Sequence, residues 1–255
     1  MMQLNYILIF VYNAPSMILN ASFLAHEQDN IMPRTIKSFA LRAGRLSPRQ
    51  ARALELWLPD YALPVQNVPW SLVEAFERDA PTVVEIGFGM GASLVEMAQA
   101  RPDINFLGIE VHRAGLGSLV ADVHDLDITN VRVVEHDAVE VFKTCLTSES
   151  LDGVQIFFPD PWPKARHHKR RLIQADFVGV LLQAIKPGGF VHCATDWEDY
   201  ANQMLTVLSE EPRLENKDLD HGFLPRPDRR PLTKFEARGQ RLGHGTWDLM
   251  FTRVM

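Results

Sequence analysis

The sequence predicts an α/β fold, a mainly parallel sheet with helices on both faces and an antiparallel strand at its C-terminus. The first observation behind this is the alternation of short apolar runs with helix-period segments from residue 82 onward, the βαβα pattern of a parallel sheet. The second is size: 255 residues, 46% hydrophobic and 23% charged, are enough for one large domain with a sizeable core. The third is Trp247–Val254, which alternates as a strand with one wet face does and is expected at an antiparallel edge.

Along the chain, Ser47-Pro48-Arg49 supplies a cap and a proline at the first helical position, so Gln50–Leu58 reads as a short helix. Pro59, Pro64 and Pro69 break regular structure after it. Strands are expected at Thr82–Ile86, Asn105–Glu110, Val131–His136, Val154–Phe158 and Gly189–Thr195. Helices are expected at Ala92–Gln99, Ala114–Asp125, Ala138–Thr144, Gln174–Ile185 and Tyr200–Leu208. The chain therefore divides into an apolar extension (1–31), a basic arm with a helix (32–81) and the α/β domain (82–255).

In the extension, the run Tyr6–Tyr12 invites a secretory reading, but no Lys or Arg precedes Arg34 and Asn13 and Pro15 interrupt it. It also falls far short of the ~20 residues that span a bilayer. A poorly ordered extension, or translation starting at Met32, is the expectation, and no membrane association is expected. Two cysteines, Cys145 and Cys193, give neither a disulfide framework nor a zinc cluster, and nine histidines show no metal-ligand spacing. A cytoplasmic protein without metal is expected, as a monomer or weak homodimer.

The net charge of −6 argues at first against a nucleic-acid partner. The charge is segregated, however. Arg34–Arg52, Lys164–Arg171 and Arg226–Arg241 together hold 17 of the 26 Lys/Arg and two of the 32 Asp/Glu. Those 43 residues carry a net +15 and the other 212 carry −21, a distribution that suits a polyanion.

In a parallel sheet ligands sit beyond the carboxyl ends of the strands, so the residues just after each strand are the candidates. The first strand runs into Glu85-Ile86-Gly87-Phe88-Gly89-Met90-Gly91, a glycine-rich loop opening a helix. Alone, such a loop matches often by chance, and a tight turn with no ligand explains it as well. The second strand ends in Glu110, an acid placed to accept ribose hydroxyls, and the third in His136-Asp137-Ala138. Three acids, Glu85, Glu110 and Asp137, would repel the pyrophosphate of a dinucleotide. They suit a ligand carrying ribose, adenine and positive charge, which is S-adenosylmethionine. The fourth strand ends in Phe158-Pro159-Asp160-Pro161-Trp162, where prolines on both sides fix the direction of the Asp160 carboxylate. Trp162 reads equally as a base-stacking ring or as core. Next comes Lys164-Ala165-Arg166-His167-His168-Lys169-Arg170-Arg171, a basic loop of the kind that contacts phosphates. The fifth strand ends in Asp196-Trp197, and Arg229–Arg238 mixes cations with hydrogen-bonding groups.

On these residues alone three readings stand: a methyltransferase, a Rossmann oxidoreductase, which the acids and the lack of a hydride-transfer pair disfavour, and a non-catalytic RNA-binding scaffold. Taken together the motifs resemble the bacterial tRNA (guanine-N7)-methyltransferase family, from about Arg34 to the C-terminus. The match rests on Glu85–Gly91, Gly108-Ile109-Glu110, His136–Ala138, Phe158–Trp162 with its basic continuation to Arg171, Ala194–Trp197 and Thr233–Glu236. The resemblance implies a Rossmann-like class I methyltransferase fold with seven strands, S-adenosylmethionine as cofactor and tRNA as partner. It implies that Glu85, Gly87, Gly89, Gly91, Glu110, Asp137 and Asp160 hold the cofactor, with Asp160 at the catalytic centre. Lys164, Asp196, Thr233, Lys234, Phe235 and Glu236 would contact substrate. Arg166, His167, His168, Lys169, Arg170 and Arg171 would touch RNA, and the acceptor would be a variable-loop guanosine. Another methyltransferase acting on RNA or a small molecule is the nearest alternative.

Overall fold

Five parallel strands form the centre of the sheet because their residues are apolar on both faces. In the computed structural model these are Thr82–Ile86 (β1), Asn105–Glu110 (β2), Val131–Glu135 (β3), Leu151–Phe157 (β4) and Ile185–Thr195 (β5). Every residue of β1 and β2 is buried, as expected where helices cover both sides. Leu214–Asn216 (β6) and Trp247–Arg253 (β7) complete a seven-stranded sheet of order β3-β2-β1-β4-β5-β7-β6, with β7 antiparallel to both its neighbours. The structure describes residues 37–40, 44–218, 220, 222–233, 236–237, 241 and 245–255. These belong to a single compact unit, residues 36–255; the extension 1–31 lies outside the described residues.

β7 therefore pairs on both sides instead of forming the edge, because the short β6 covers it. Three residues are too few for a period-2 signal, which is why β6 escapes a sequence reading. β4 and β5 also begin earlier than expected. Leu151 pairs with Ile185, and the register shifts before Gly153, where a Cβ would meet the Phe190 ring at 2.2 Å.

The helices are Pro48–Leu56 (α1), Leu58–Tyr61 (α2), Leu72–Phe76 (α3), Ala92–Ala100 (α4), Arg113–Asp125 (α5), Ala138–Thr144 (α6), Ala175–Ala184 (α7) and Glu198–Ser209 (α8). They sort by the alternation of the strands. Val84, Ile86, Leu107 and Ile109 face one core with Phe142, Leu181 and Tyr200 from α6, α7 and α8. Val83, Phe106 and Val133 face the other, with Leu94 and Leu119 from α4 and α5 and Ala53 from α1. The expected start of α1 is present as a capping box: the Gln50 N–H donates to Ser47 Oγ and the Ser47 N–H to Gln50 Oε1. Gln50 Nε2 also donates to the Ala114 carbonyl, which fastens the α1 segment onto α5. All five parallel strands end on one side, so the loops leaving them meet there.

Candidate active site

The loop after β1 turns sharply, with φ of +75° at Gly87, +58° at Gly89 and +83° at Gly91, conformations that disfavour any side chain. Gly91 caps α4 and lies against Leu119, whose Cβ would be 2.7 Å from an added methyl. At Gly87 and Gly89 the space where a Cβ would project is open, and both line a cavity of about 290 Å³. Glu110, Asp160, His136, Phe158 and Ser38 line the same cavity. Glu110 braces it: one carboxylate oxygen accepts the Gly89 N–H at 3.0 Å, the other the N–Hs of Val111 and His112. A glycine that the sequence reading passed over, Gly115 on α5, packs against this loop, its missing Cβ only 2.1 Å from the Gly89 carbonyl oxygen.

The other two expected cofactor acids sit differently. Asp137 caps α6 through the Val139 N–H at 3.1 Å and pairs with Lys37 at 2.7 Å, while its neighbours His136 and Ala138 line the cavity. Glu85 points to the α4 side of the sheet, buried, with Gln155 donating to it at 3.0 Å. Burial above all, together with the Glu110 charge and against the Gln155 hydrogen bond, pushes its carboxyl up to about 7.

Asp160 is exposed at the mouth of the cavity. The residues preceding Pro159 and Pro163, Phe158 and Trp162, both adopt positive φ, +52° and +44°. Such values are uncommon for non-glycine residues and leave the Asp160 loop held by its surroundings. Trp162 belongs to those surroundings. Its indole N–H donates to the Ser38 carbonyl at 2.9 Å and the Arg170 guanidinium stacks on its ring at 3.7 Å, so that face is closed to a base.

The basic run separates into two groups. Lys164, Arg166 and Lys169 are exposed on or beside the 3-10 helix Ala165–Arg170. His167 sits edge-on to Trp162, its imidazole held below its ordinary value by desolvation and by four cationic neighbours. His168 is half-buried, with Nε2 3.7 Å from Asp199. Arg170 and Arg171 depart from the expected RNA surface. Arg170 donates to the carbonyls of Lys37 and Phe39, clamping a segment that lines the cavity. Arg171 is buried and spends its guanidinium on Pro161, Gln203 and Asp199.

Asp196 is half-buried, two residues beyond the point where β5 pairs with Phe157 of β4, which places it at the same sheet end as Asp160. Thr233 Oγ1 accepts the Glu236 N–H at 3.1 Å. Glu236 also departs from expectation as a substrate contact: it is buried in a two-pronged ion pair with Arg230 at 2.6 and 2.8 Å. Lys234 and Phe235 lie outside the described residues. Among the described residues no three His, Cys, Asp or Glu converge as a metal site, and no helix is long and apolar enough to cross a membrane.

A cavity formed by open glycines and a ribose-ready carboxylate at the sheet's carboxyl end fits an adenosyl cofactor. Comparisons with known proteins identify the family. Residues 79–249 match the family model described as "Putative methyltransferase". A tRNA (guanine-N(7)-)-methyltransferase of Legionella pneumophila is 61% identical over 225 residues, covering 88% of this chain and all of that protein. One from Nitrosospira multiformis is 56% identical over 220 residues, covering 86% and 95%. Among solved structures, the 16S rRNA methyltransferase KamB superposes with a TM-score of 0.55 at 13% identity, over 75% of this chain and 97% of that one, a likeness of fold. At 61% and 56% identity to the first two relatives, over most of both chains, the chain belongs to the tRNA (guanine-N(7)-)-methyltransferase family.

Proposed function

We infer that this chain transfers a methyl group from S-adenosylmethionine to N7 of a guanosine in tRNA, in the variable loop, acting in the cytoplasm as a monomer or weak homodimer. One observation supports the chemistry above the rest: an exposed carboxylate, Asp160, stands at the mouth of the glycine-lined cavity, on a loop flanked by the positive-φ residues Phe158 and Trp162. The cofactor supplies an electrophilic methyl on a positively charged sulfur.

Guanine N7 has a lone pair and no proton, so the site needs no strong base. It needs N7 in line with the methyl group at about 3–3.5 Å, which is a positioning task. Asp160 serves it by accepting hydrogen bonds from the N1/N2 edge and by stabilising the positive charge that develops on the purine. Gly87 and Gly89 would let the backbone approach the cofactor, and Glu110, which braces the Gly89 turn, would accept the ribose hydroxyls. Asp137, fixed by Lys37, would serve the adenine end. Glu85, held by Gln155 of β4, stands in the sheet behind the loop and does not line the cavity. Lys164 and Asp196 contact the acceptor nucleotide together with Thr233, and Arg166, His167, His168 and Lys169 meet phosphates. Arg170 and Arg171 shape the site from inside.

Labelled methyl transfer to unmodified tRNA, with nucleoside analysis of the product, tests this reading. Label in 7-methylguanosine is expected. Label in another nucleoside, or only in small molecules, would assign the chain to a different methyltransferase reaction.

A further inference from the structure

Arg230 belongs to a basic cluster that the sequence places on the surface, yet its side chain is 0% exposed. Nε and Nη2 donate to the two oxygens of Asp248 on β7 at 2.6 and 2.7 Å. Nη1 and Nη2 donate to the two oxygens of Glu236 at 2.6 and 2.8 Å. His192 on β5 completes the cluster, its Nε2 2.8 Å from Asp248. The guanidinium lies 5.8 Å from the Phe157 ring and 5.5 Å from the Phe158 ring. A buried ionic cluster of this kind is rarely a gain in stability over apolar packing. What it provides is fixed geometry, because a planar guanidinium holds two carboxylates in set directions.

The parts held are informative. Glu236 is tied to Thr233 by its N–H, so Arg230 fixes the Thr233 segment to the sheet. Phe158 is strained at φ +52° and leads through Pro159 to Asp160, so the same guanidinium supports the wall carrying that carboxylate. None of the Arg230 hydrogen bonds reaches Gly87, Gly89 or Glu110.

We propose that Arg230 is a positioning residue for the acceptor side of the site, setting the Thr233 segment and the Phe158–Asp160 loop at the separation that aligns guanine N7 with the methyl group. The proposal rests on the reading given under Proposed function. Arg230 acts through Thr233 and Asp160, and it makes no hydrogen bond with Gly87, Gly89 or Glu110, the residues assigned the main hold on the cofactor.

The test uses the full chain carrying Arg230→Lys, which keeps the charge and loses the fork, and separately Asp248→Asn, which keeps the Arg230–Glu236 pair. S-adenosylhomocysteine titration counts competent sites, and single-turnover transfer at saturating tRNA is measured per competent site, well below each variant's melting point. For Arg230→Lys the expected result is a full complement of sites, cofactor and tRNA dissociation constants within about threefold of the unaltered chain, and a transfer rate at least ~30-fold lower. For Asp248→Asn the same split is expected at about three- to tenfold. A merely structural role would lower the number of sites and leave the rate per site alone, and that outcome in either variant overturns the proposal. If Arg230→Lys binds no cofactor, Asp248→Asn alone decides: a per-site rate within about twofold of the unaltered chain contradicts the proposal. Absence of 7-methylguanosine from the unaltered chain's product overturns the reading beneath it instead.

Discussion

The Nε–H of Arg171 donates to the carbonyl oxygen of Pro161 at 2.8 Å, joining the basic run to the loop that carries Asp160. The same guanidinium reaches Gln203 and Asp199 on α8 and lies over the Tyr200 ring. Its charge is thus consumed inside the protein. Arg171→Met strips hydrogen bonds from a partly buried carbonyl and a partly buried amide and should cost about 2 kcal/mol. That corresponds to a melting point lower by about 4–8 °C for a chain of this size. The salt dependence of tRNA affinity should stay as it is in the unaltered chain, and a shallower slope would place Arg171 on phosphate after all.

The exposed cations should behave in the opposite way. Arg166→Ala and Lys169→Ala remove side chains that are exposed and take part in no ion pair among the described residues. Each should leave the melting point within about 1–2 °C, the scale of a neutral surface change. Each should lower the slope of log affinity against log salt by about 1. Filter binding of tRNA across a salt series reads this directly, and slopes unchanged in both variants would move the RNA surface elsewhere.

Gly115 approaches the Gly89 carbonyl so closely that a methyl group there would stand 2.1 Å from its oxygen. Neither atom is the flexible end of a side chain, so Gly115→Ala must displace the Gly89 turn or the start of α5. Displacing the Gly89 turn strains the 3.0 Å hydrogen bond from its N–H to Glu110. S-adenosylmethionine affinity should fall at least tenfold by calorimetry, consistent with about 1.4 kcal/mol. An affinity within about twofold would show that the loop adapts without cost.

Glu85 makes stability pH-dependent in a defined direction. Its carboxyl rises from 4.5 to about 7 on folding, first because it is buried. A raised value means the native state holds the proton more tightly, so the stabilisation is complete below pH 4.5 and is lost as pH climbs through 7. Glu85→Gln keeps an acceptor for Gln155 and removes the titration. Relative to the unaltered chain it should therefore gain on the order of 3 kcal/mol between about pH 4.5 and pH 8. Urea denaturation at the two pH values measures the difference, and curves that stay parallel would contradict the assignment.

The central elements were legible because each rests on a local signal. β1 and β2 are apolar on both faces, the Ser47 cap and Pro48 mark α1, and the glycines of 87–91 mark a turn that only positive φ can make. The cavity-lining residues Glu110 and Asp160 were found because a parallel sheet gathers the residues at the carboxyl ends of its strands. The features that escaped depend on tertiary partners. Arg171 and Arg230 look like surface cations, and only folding brings Asp199, Glu236 and Asp248 to them. The burial of Glu85 comes from helices packed on both faces of β1, and the part of Lys37–Phe39 in the cavity comes from a clamp 133 residues away in sequence. The strain at Phe158 and Trp162 runs against the extended backbone favoured before a proline, so their sequence pointed the other way.

On the reading proposed above, Asp160 is the group that makes transfer fast. Single-turnover methylation by Asp160→Ala, measured beside its tRNA dissociation constant, tests this most directly. The expected result is a rate at least ~100-fold lower, about 2.7 kcal/mol of lost transition-state stabilisation, with tRNA affinity within about threefold. A near-normal rate, or a loss confined to tRNA affinity, would contradict it.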